Sequence, residues 1–267
     1  MPSLRTHALM YHDLVADDGT TTGFGGPGSA RYDVAQKAFL AHLDRIAETL
    51  DGPPAVVDDV LAGRAGSRAW LLTFDDGGAT ALEAGEELAS RGWRGHFFVT
   101  TDFIGGEGFV DAAAIRELSS MGHVIGSHSC SHPARMSALS SDDLLEEWEG
   151  SVSVLSDLLD EPIRAASVPG GYYSTAVARA AAKAGIEALF TSEPVRTPRP
   201  VGRCLVFGRL SIRSTTSPDV AAGAAAGQDN VWLRQYVGWT LRKPIKALIG
   251  SHYERARRVI VATTSQK

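Results

Sequence analysis

The chain's 267 residues are long for an average domain and ordinary for a single α/β barrel, and its 44% hydrophobic and 21% charged residues suit a globular protein with a large core. No apolar run approaches the roughly 20 residues needed to cross a bilayer, the opening "MPSLRTHALMYHDL" has no secretory pattern, and two cysteines, Cys130 and Cys204, exclude a disulfide framework, so the expected location is a reducing cytoplasm. The net charge of −5 is uneven: Val231 to Lys267 carries +7 and the first 230 residues carry −12.

Strand-like and helical runs alternate along the chain. "HALMYHDL" opens as a strand, and the Gly-, Thr- and Ser-rich "ADDGTTTGFGGPGSA" follows as an irregular loop without the Gly-Lys-Ser/Thr of a phosphate loop. A helix over 34–50 leads to the strand "AWLLTFDD", a helix over 80–91 to "GHFFVTT", and a helix over 111–121 to "HVIGSH". Then come a helix over 140–160, the strand "AASVPG", a helix over 174–184, and the strands "EALFTSE" and "VFGRLSI". Asp111 and Ser174 stand where first-turn N–H groups need an acceptor, and Gly92, Gly122 and Gly185 fall just past helix ends. Such alternation implies parallel βαβ units, and seven strands favour a (β/α) barrel over an open doubly wound sheet. There is no internal repeat. The only boundary falls near residue 228, dividing a barrel over 1–228 from a helical tail over 229–267.

In a parallel α/β fold, functional groups collect where strands end. Three such places carry chemistry here. In "LLTFDDGG" a strand ends in Asp75 and Asp76; adjacent residues on an extended chain point in opposite directions, so one carboxylate can bind a cation while the other moves a proton. The competing reading is that one of them caps the helix starting near Thr80. In "IGSHSCSHPA", His128 and His132 follow a strand, and Pro133 disfavours a helical His132. Two imidazoles and a carboxylate leave an open position on a divalent ion, the arrangement that activates water; the alternative is two loop histidines satisfied by backbone and solvent. Cys130, between them, points away as a bystander. In "ASVPGGYYS", a proline and two glycines after a strand let the backbone offer N–H groups to an oxyanion, unless this is a plain strand-to-helix turn.

Taken together, "TFDDGG", "HSCSH" and "SVPGGYY", with "GHFFVTTDFIG" and "ELSSMGHVIGSHSCSHP" around them, resemble the polysaccharide deacetylase family, the NodB-homology or carbohydrate esterase 4 group, over about Ala8 to Thr191. The resemblance implies a distorted (β/α) barrel, usually seven-stranded, and metal-dependent removal of N-acetyl groups from an amino-sugar polysaccharide, oligosaccharide or glycolipid. It implies Asp76, His128 and His132 as metal ligands and Asp75 as general base. The oxyanion would be held by the metal and by a backbone N–H near Gly170 or Gly171. Zinc suits the ligand set, as do cobalt, nickel and iron.

The sequence departs from the family in two places. Many members carry an arginine two residues before the third-motif proline, where this chain has Ser167; Arg164 and Arg209 are the candidate replacements. There is also no late leucine-x-histidine motif to supply the acid for the leaving amine. His12, in "MYHDL", is one replacement, with His96 and His252 as others. These departures keep two alternatives open: hydrolysis of a small cyclic amide or imide at the same metal site, and a catalytically weak carbohydrate-binding relative.

In the tail, Trp232, Tyr236 and Trp239 fall on one helical face, accompanied by Arg234, Arg242, Lys243 and Lys246, with Pro244 breaking the helix. Two placements fit: packing over the barrel, or peripheral contact with an anionic membrane surface. The acidic body and absence of a recognisable motif argue against nucleic acid. Nothing in the sequence sets the oligomeric state.

Overall fold

The computed structural model describes residues 4–15, 19, 21–25 and 29–241. The strands run in chain order as β1 Arg5–Tyr11, β2 Leu14–Val15, β3 Val34–Ala35, β4 Arg68–Phe74, β5 His96–Val99, β6 Val124–Ser127, β7 Ala165–Ser167, β8 Ala188–Phe190, β9 Arg199–Val201, β10 Cys204–Phe207 and β11 Arg209–Ser211. The helices are α1 Gln36–Thr49, α2 Val57–Leu61, α3 Ala81–Ser90, α4 Ala112–Ser120, α5 Ser141–Leu159, α6 Thr175–Lys183 and α7 Pro218–Ala225, and a further helix covers 229–241.

The main sheet has the order β11-β1-β4-β5-β6-β7-β8-β10-β9, and every pairing is parallel except β9 with β10. β11 at one end and β10, next to the other end, are joined through a single residue. β10 pairs with β8, β11 pairs with β1, and only Gly208 lies between β10 and β11. The expected seven-position barrel therefore closes, but "VFGRLSI" does not form one strand. It breaks at Gly208, where a Cβ would come within 2.3 Å of the Val195 carbonyl and 2.4 Å of the Glu193 carbonyl. Only glycine allows that crossing chain so close. β9 is a hairpin partner outside the ring, and α2 and α7 are helices the periodicity did not reveal.

Both faces of the ring strands are covered, as a parallel sheet requires: β1 and β4 are buried along their whole length after the first residue. Inside the ring, small and large side chains interdigitate. Ala8, Ala69, Ala165 and Ala188 leave room for Leu71, Phe98, Phe190 and Phe207. Val57 and Val60 of α2 plug the end where the strands begin, and the Val57 N–H donates to His96 Nε2 at 2.9 Å. Burial of each such phenylalanine is worth about 1.5–3 kcal/mol. The larger apolar cluster lies between the ring and the outer helices, with Phe39, Leu88, Trp148 and Leu155 fully buried.

The helix signals act as read. Asp111 accepts from Ala114 N at 2.8 Å and Ser174 from Val177 N at 3.4 Å, while Gly92, Gly122 and Gly185 adopt the left-handed conformation past their helices. The helix 229–241 docks on the barrel. Trp232 is 3% exposed and donates to the Ala224 carbonyl at 3.0 Å, and the Gln235 amide bonds both the N–H and the carbonyl of Ser211. The aromatic face expected there is split: Trp239 is half-buried beside Gln235, whereas Tyr236 joins Leu233, Val237 and Leu241 on an exposed outer stripe. Arg242, Lys243, Pro244, Lys246 and His252 lie outside the described residues. Among the described residues no helix is long and apolar enough to cross a membrane.

Candidate active site

β4 delivers the two carboxylates, and they do diverge, though the cause is a turn rather than a pleat. Asp75 is still paired to the sheet, its N–H donating to the Tyr11 carbonyl at 3.0 Å, while Asp76 turns into the left-handed region at φ 75°. Neither caps α3, since Asp75 goes to an arginine and Asp76 to two histidines. Left-handed non-glycine residues cost on the order of 1–3 kcal/mol and concentrate at functional sites. Ser129 at φ 67° and His132 at φ 52° are two more within this one site.

β6 delivers the histidines. Asp76 Oδ1 lies 3.2 Å from His128 Nε2 and 3.4 Å from His132 Nε2, and the three donor atoms sit within 4.8 Å of one another. His128 Nδ1 is 3.0 Å from the Ser167 carbonyl. A carbonyl only accepts, so Nδ1 carries the proton and Nε2 presents its lone pair to the cluster. The turn between the histidines is held from outside: Glu147 of α5 accepts from the N–H groups of Cys130 and Ser131 at 2.9 and 3.0 Å, and Ser129 Oγ accepts from His132 N at 3.1 Å. Phe24 packs on the His132 ring with centroids 4.4 Å apart. The Cys130 thiol points the other way, toward the Glu146 carbonyl and Gly150 of α5, as expected of a bystander.

One carboxylate and two imidazoles, with Asp76 and His128 buried, His132 partly buried and the His128 ring oriented through its far nitrogen, fit a divalent metal ion. Burial raises the Asp76 carboxyl, but its contacts with His128 and His132 outweigh that and hold it well below the ordinary carboxylate range.

Asp75 is gripped by Arg209, the residue just past the Gly208 break. Nη1 meets Oδ1 at 2.6 Å and Nη2 meets Oδ2 at 2.7 Å, while Nε donates to the Thr191 carbonyl at 3.1 Å. Arg209 is fully buried and lies near the Phe98 and Phe190 rings, at 5.8 and 5.9 Å. Ser167 completes the cage by donating to Asp75 Oδ2 at 3.1 Å and accepting from Arg209 Nη2 at 2.7 Å. The guanidinium missing from position 167 is thus supplied by Arg209, and the serine there makes room for it. Arg164 is elsewhere, in a loose exposed pair with Glu187 at 3.9 Å. Burial pushes the Asp75 carboxyl up, but the charges of Arg209, His128 and His12 outweigh it, and the group stays below the usual range.

His12 also reaches the site. It stacks on Tyr32 at 4.7 Å, its Nδ1 is buried without a hydrogen-bond partner, and burial lowers its pKa against the opposing pull of Asp76 and Asp75. His96 does not reach it. Both its ring nitrogens are bonded at the start of β5, to the Leu72 carbonyl and the Val57 N–H. Gly170 and Gly171 take left-handed angles of 61° and 69° in a 3₁₀ turn after β7, where a side chain on Gly171 would strike Ser192.

Four participants escaped the sequence reading. Ser167 and Glu147 hold other site residues, and their only sequence trace is proximity to the motifs. Phe24 arrives from the irregular loop. Asp13 is 4% exposed between Gly23 and Gly78, accepts from Thr22 at 3.2 Å and Thr80 at 3.4 Å, and has its carboxyl pushed up to about 7 by burial and by the charge of Asp76. An Asp directly after a candidate histidine was the available signal.

The polysaccharide deacetylase family model matches residues 62–189, which hold both carboxylates, both histidines and the Pro-Gly-Gly turn. No curated protein sequence matches the chain. Among solved structures, the deacetylase PplD of Streptococcus pyogenes, in complex with acetate, is similar at 19% identity and TM-score 0.68, covering 81% of this chain and 96% of its own. A polysaccharide deacetylase of Bacillus cereus, BC0361, is similar at 19% identity and TM-score 0.70, covering 84% of this chain and 69% of its own. IcaB from Ammonifex degensii is similar at 22% identity and TM-score 0.66, covering 83% of this chain and 97% of its own. These likenesses share the fold. The match over 62–189 takes in just under half of the chain, and it is over this stretch that the chain is similar to the polysaccharide deacetylase family.

Proposed function

We propose that this protein is a metal-dependent hydrolase that removes N-acetyl groups from an amino-sugar glycan or glycolipid. The observation that carries the reading is the division of labour between adjacent carboxylates: Asp76 faces His128 and His132, and Asp75 faces Arg209. A divalent ion, zinc by the donor set, would be held by Asp76, His128 and His132 and would supply Lewis-acid polarisation and a more acidic water. Asp75 is ionised at neutral pH, and the Arg209 fork fixes its orientation. Oδ2 accepts from both Arg209 and Ser167, whereas Oδ1 keeps a lone pair beyond its bond to Arg209, so Oδ1 accepts the proton of the attacking water. The turn at Gly170 and Gly171 offers backbone N–H groups to the oxyanion. Asp76 and Asp75 favour the protonated form of His12 against its burial, and in that form His12 would deliver the proton to the departing amine.

The reading of a catalytically weak carbohydrate binder rested partly on the missing guanidinium, and Arg209 removes that ground. A peripheral membrane contact through the tail is supported by the exposed stripe of Leu233, Tyr236, Val237 and Leu241. Flotation with liposomes, with and without residues 229–267, tests it, and equal flotation of both forms ends it. The enzymatic reading is tested by acetate release from N-acetylglucosamine oligomers: release that stops with chelator and returns with zinc supports it, and no release from any N-acetylated saccharide overturns it.

A further inference from the structure

A cleft of about 210 Å³ opens beside the site and shares two residues with its surroundings, Gly171 of the Pro-Gly-Gly turn and Tyr32, on which His12 stacks. Three arginines line it: Arg31, Arg135 and Arg213. Among the described residues its only lining acid is Glu193, whose charge is met by Arg199 at 2.6 Å. Among the described residues no carboxylate lies within ion-pair range of Arg31 or Arg135, and Arg135 Nε is buried with no acceptor. The two guanidinium groups instead stack on aromatic rings of the same cleft, Arg31 on Tyr32 at 4.7 Å and Arg135 on Tyr172 at 5.4 Å.

Stacking fixes a guanidinium plane and leaves its N–H edge pointing outward, the form in which arginine takes a phosphate or carboxylate. A buried donor without an acceptor costs about 1–3 kcal/mol, which an incoming anion would relieve. The first 230 residues carry a charge of −12, so an anionic ligand meets repulsion over most of the body. A positive cleft on such a surface selects for one. Tyr173 and Trp239, also in the lining, add flat apolar faces for sugar rings.

We propose that this cleft is an anion subsite and that the substrate is an N-acetylated saccharide bearing a phosphate ester or a carboxylate close to the acetamido sugar. The proposal deepens the deacetylase reading and rests on it for the identity of the reacting group. The anion seats between Arg135 and Arg31, the sugar lies over the aromatic faces, and the acetamido group is directed past Gly171 toward Asp75 and the metal ligands.

Three probes of similar size separate the possibilities: N-acetylglucosamine 1-phosphate, a disaccharide of N-acetylglucosamine and glucuronic acid, and neutral diacetylchitobiose. Binding to the full chain is followed by calorimetry and acetate release by enzymatic assay. At least one anionic probe is expected to bind tenfold or more tighter than the neutral one, weakening as salt rises, and whichever does so identifies phosphate or carboxylate as the group read. Arg135→Gln with Arg31→Gln is expected to reduce that preference to within twofold, with an unchanged circular dichroism spectrum and unchanged bound zinc. Equal binding of all three probes, or a preference surviving the double substitution in the folded protein, overturns the proposal. Anion-selective binding without acetate release from any probe would leave the subsite standing and refute the deacetylase reading; equal release from charged and neutral probes would do the reverse.

Discussion

Arg209 and Asp75 form a fully buried, two-pronged ion pair, at 2.6 and 2.7 Å, between residues 134 apart in the chain. Its position explains both its strength and its vulnerability. With water excluded, neither charge has another way to be solvated, and removal of one partner from such a pair costs about 3–5 kcal/mol. Arg209→Met is therefore expected to lower unfolding stability by that amount. The double variant Arg209→Met/Asp75→Asn is expected to recover much of it, because no uncompensated charge is left. Chemical denaturation of the four proteins in the cycle measures this, and additive losses would mean the pair is not coupled.

Asp13 and Asp75 pull the pH dependence of stability in opposite directions. The folded-state pKa of Asp13 is raised to about 7, so its contribution is fully present below the unfolded value near 4 and is lost as pH rises through 7. Asp75 is held below the ordinary range, so its contribution is present above the unfolded value and is lost as pH falls below it. Each tenfold difference in proton affinity between folded and unfolded chain is worth about 1.4 kcal/mol. Chelator-treated Asp13→Asn should lose the decline between pH 4 and 7 seen in the parent; unfolding midpoints across that interval decide, and parallel curves would contradict it.

Glu147 touches no metal donor, yet it holds the turn that presents His128 and His132. Glu147→Ala is expected to weaken zinc affinity about 10- to 100-fold, the usual cost of losing an outer support, with the fold intact. Competition with a chromophoric chelator measures it. Unchanged affinity would show that Ser129 and the strand end suffice.

Much of this site could be read from strand ends because the information there is local. "TFDD" and "HSCSH" each place a member of the Asp76–His128–His132 cluster within a few residues of the strand that carries it, and Pro133 disfavours a helical His132. The Asp75–Arg209 pair was not local. It depends on the ring closing at Gly208, and nothing near Arg209 in sequence distinguishes it from Arg164. The break itself was hidden because "VFGRLSI" reads as one continuous strand, and it is the distant Val195 and Glu193 that forbid a side chain at its centre. α7, rich in alanine, lacked the polar face that would have marked it as a helix.

His12 is assigned the proton for the leaving group, which can be separated from any structural role by the choice of substrate. An amine departs poorly unless protonated, whereas a nitrophenolate needs no proton. His12→Ala should lose about 10²–10⁴-fold in N-acetyl hydrolysis while keeping most of its rate on 4-nitrophenyl acetate. Comparable losses on both substrates would assign His12 to positioning alone.

The central claim is that the two adjacent aspartates do different work, and paired measurement of bound zinc and acetate release in Asp75→Asn and Asp76→Asn tests it most directly. Asp75→Asn should retain its metal and lose about 10²–10⁴-fold in activity, whereas Asp76→Asn should lose the metal. An Asp75→Asn protein stripped of metal beside an Asp76→Asn protein that retains it would reverse the two roles and contradict the account.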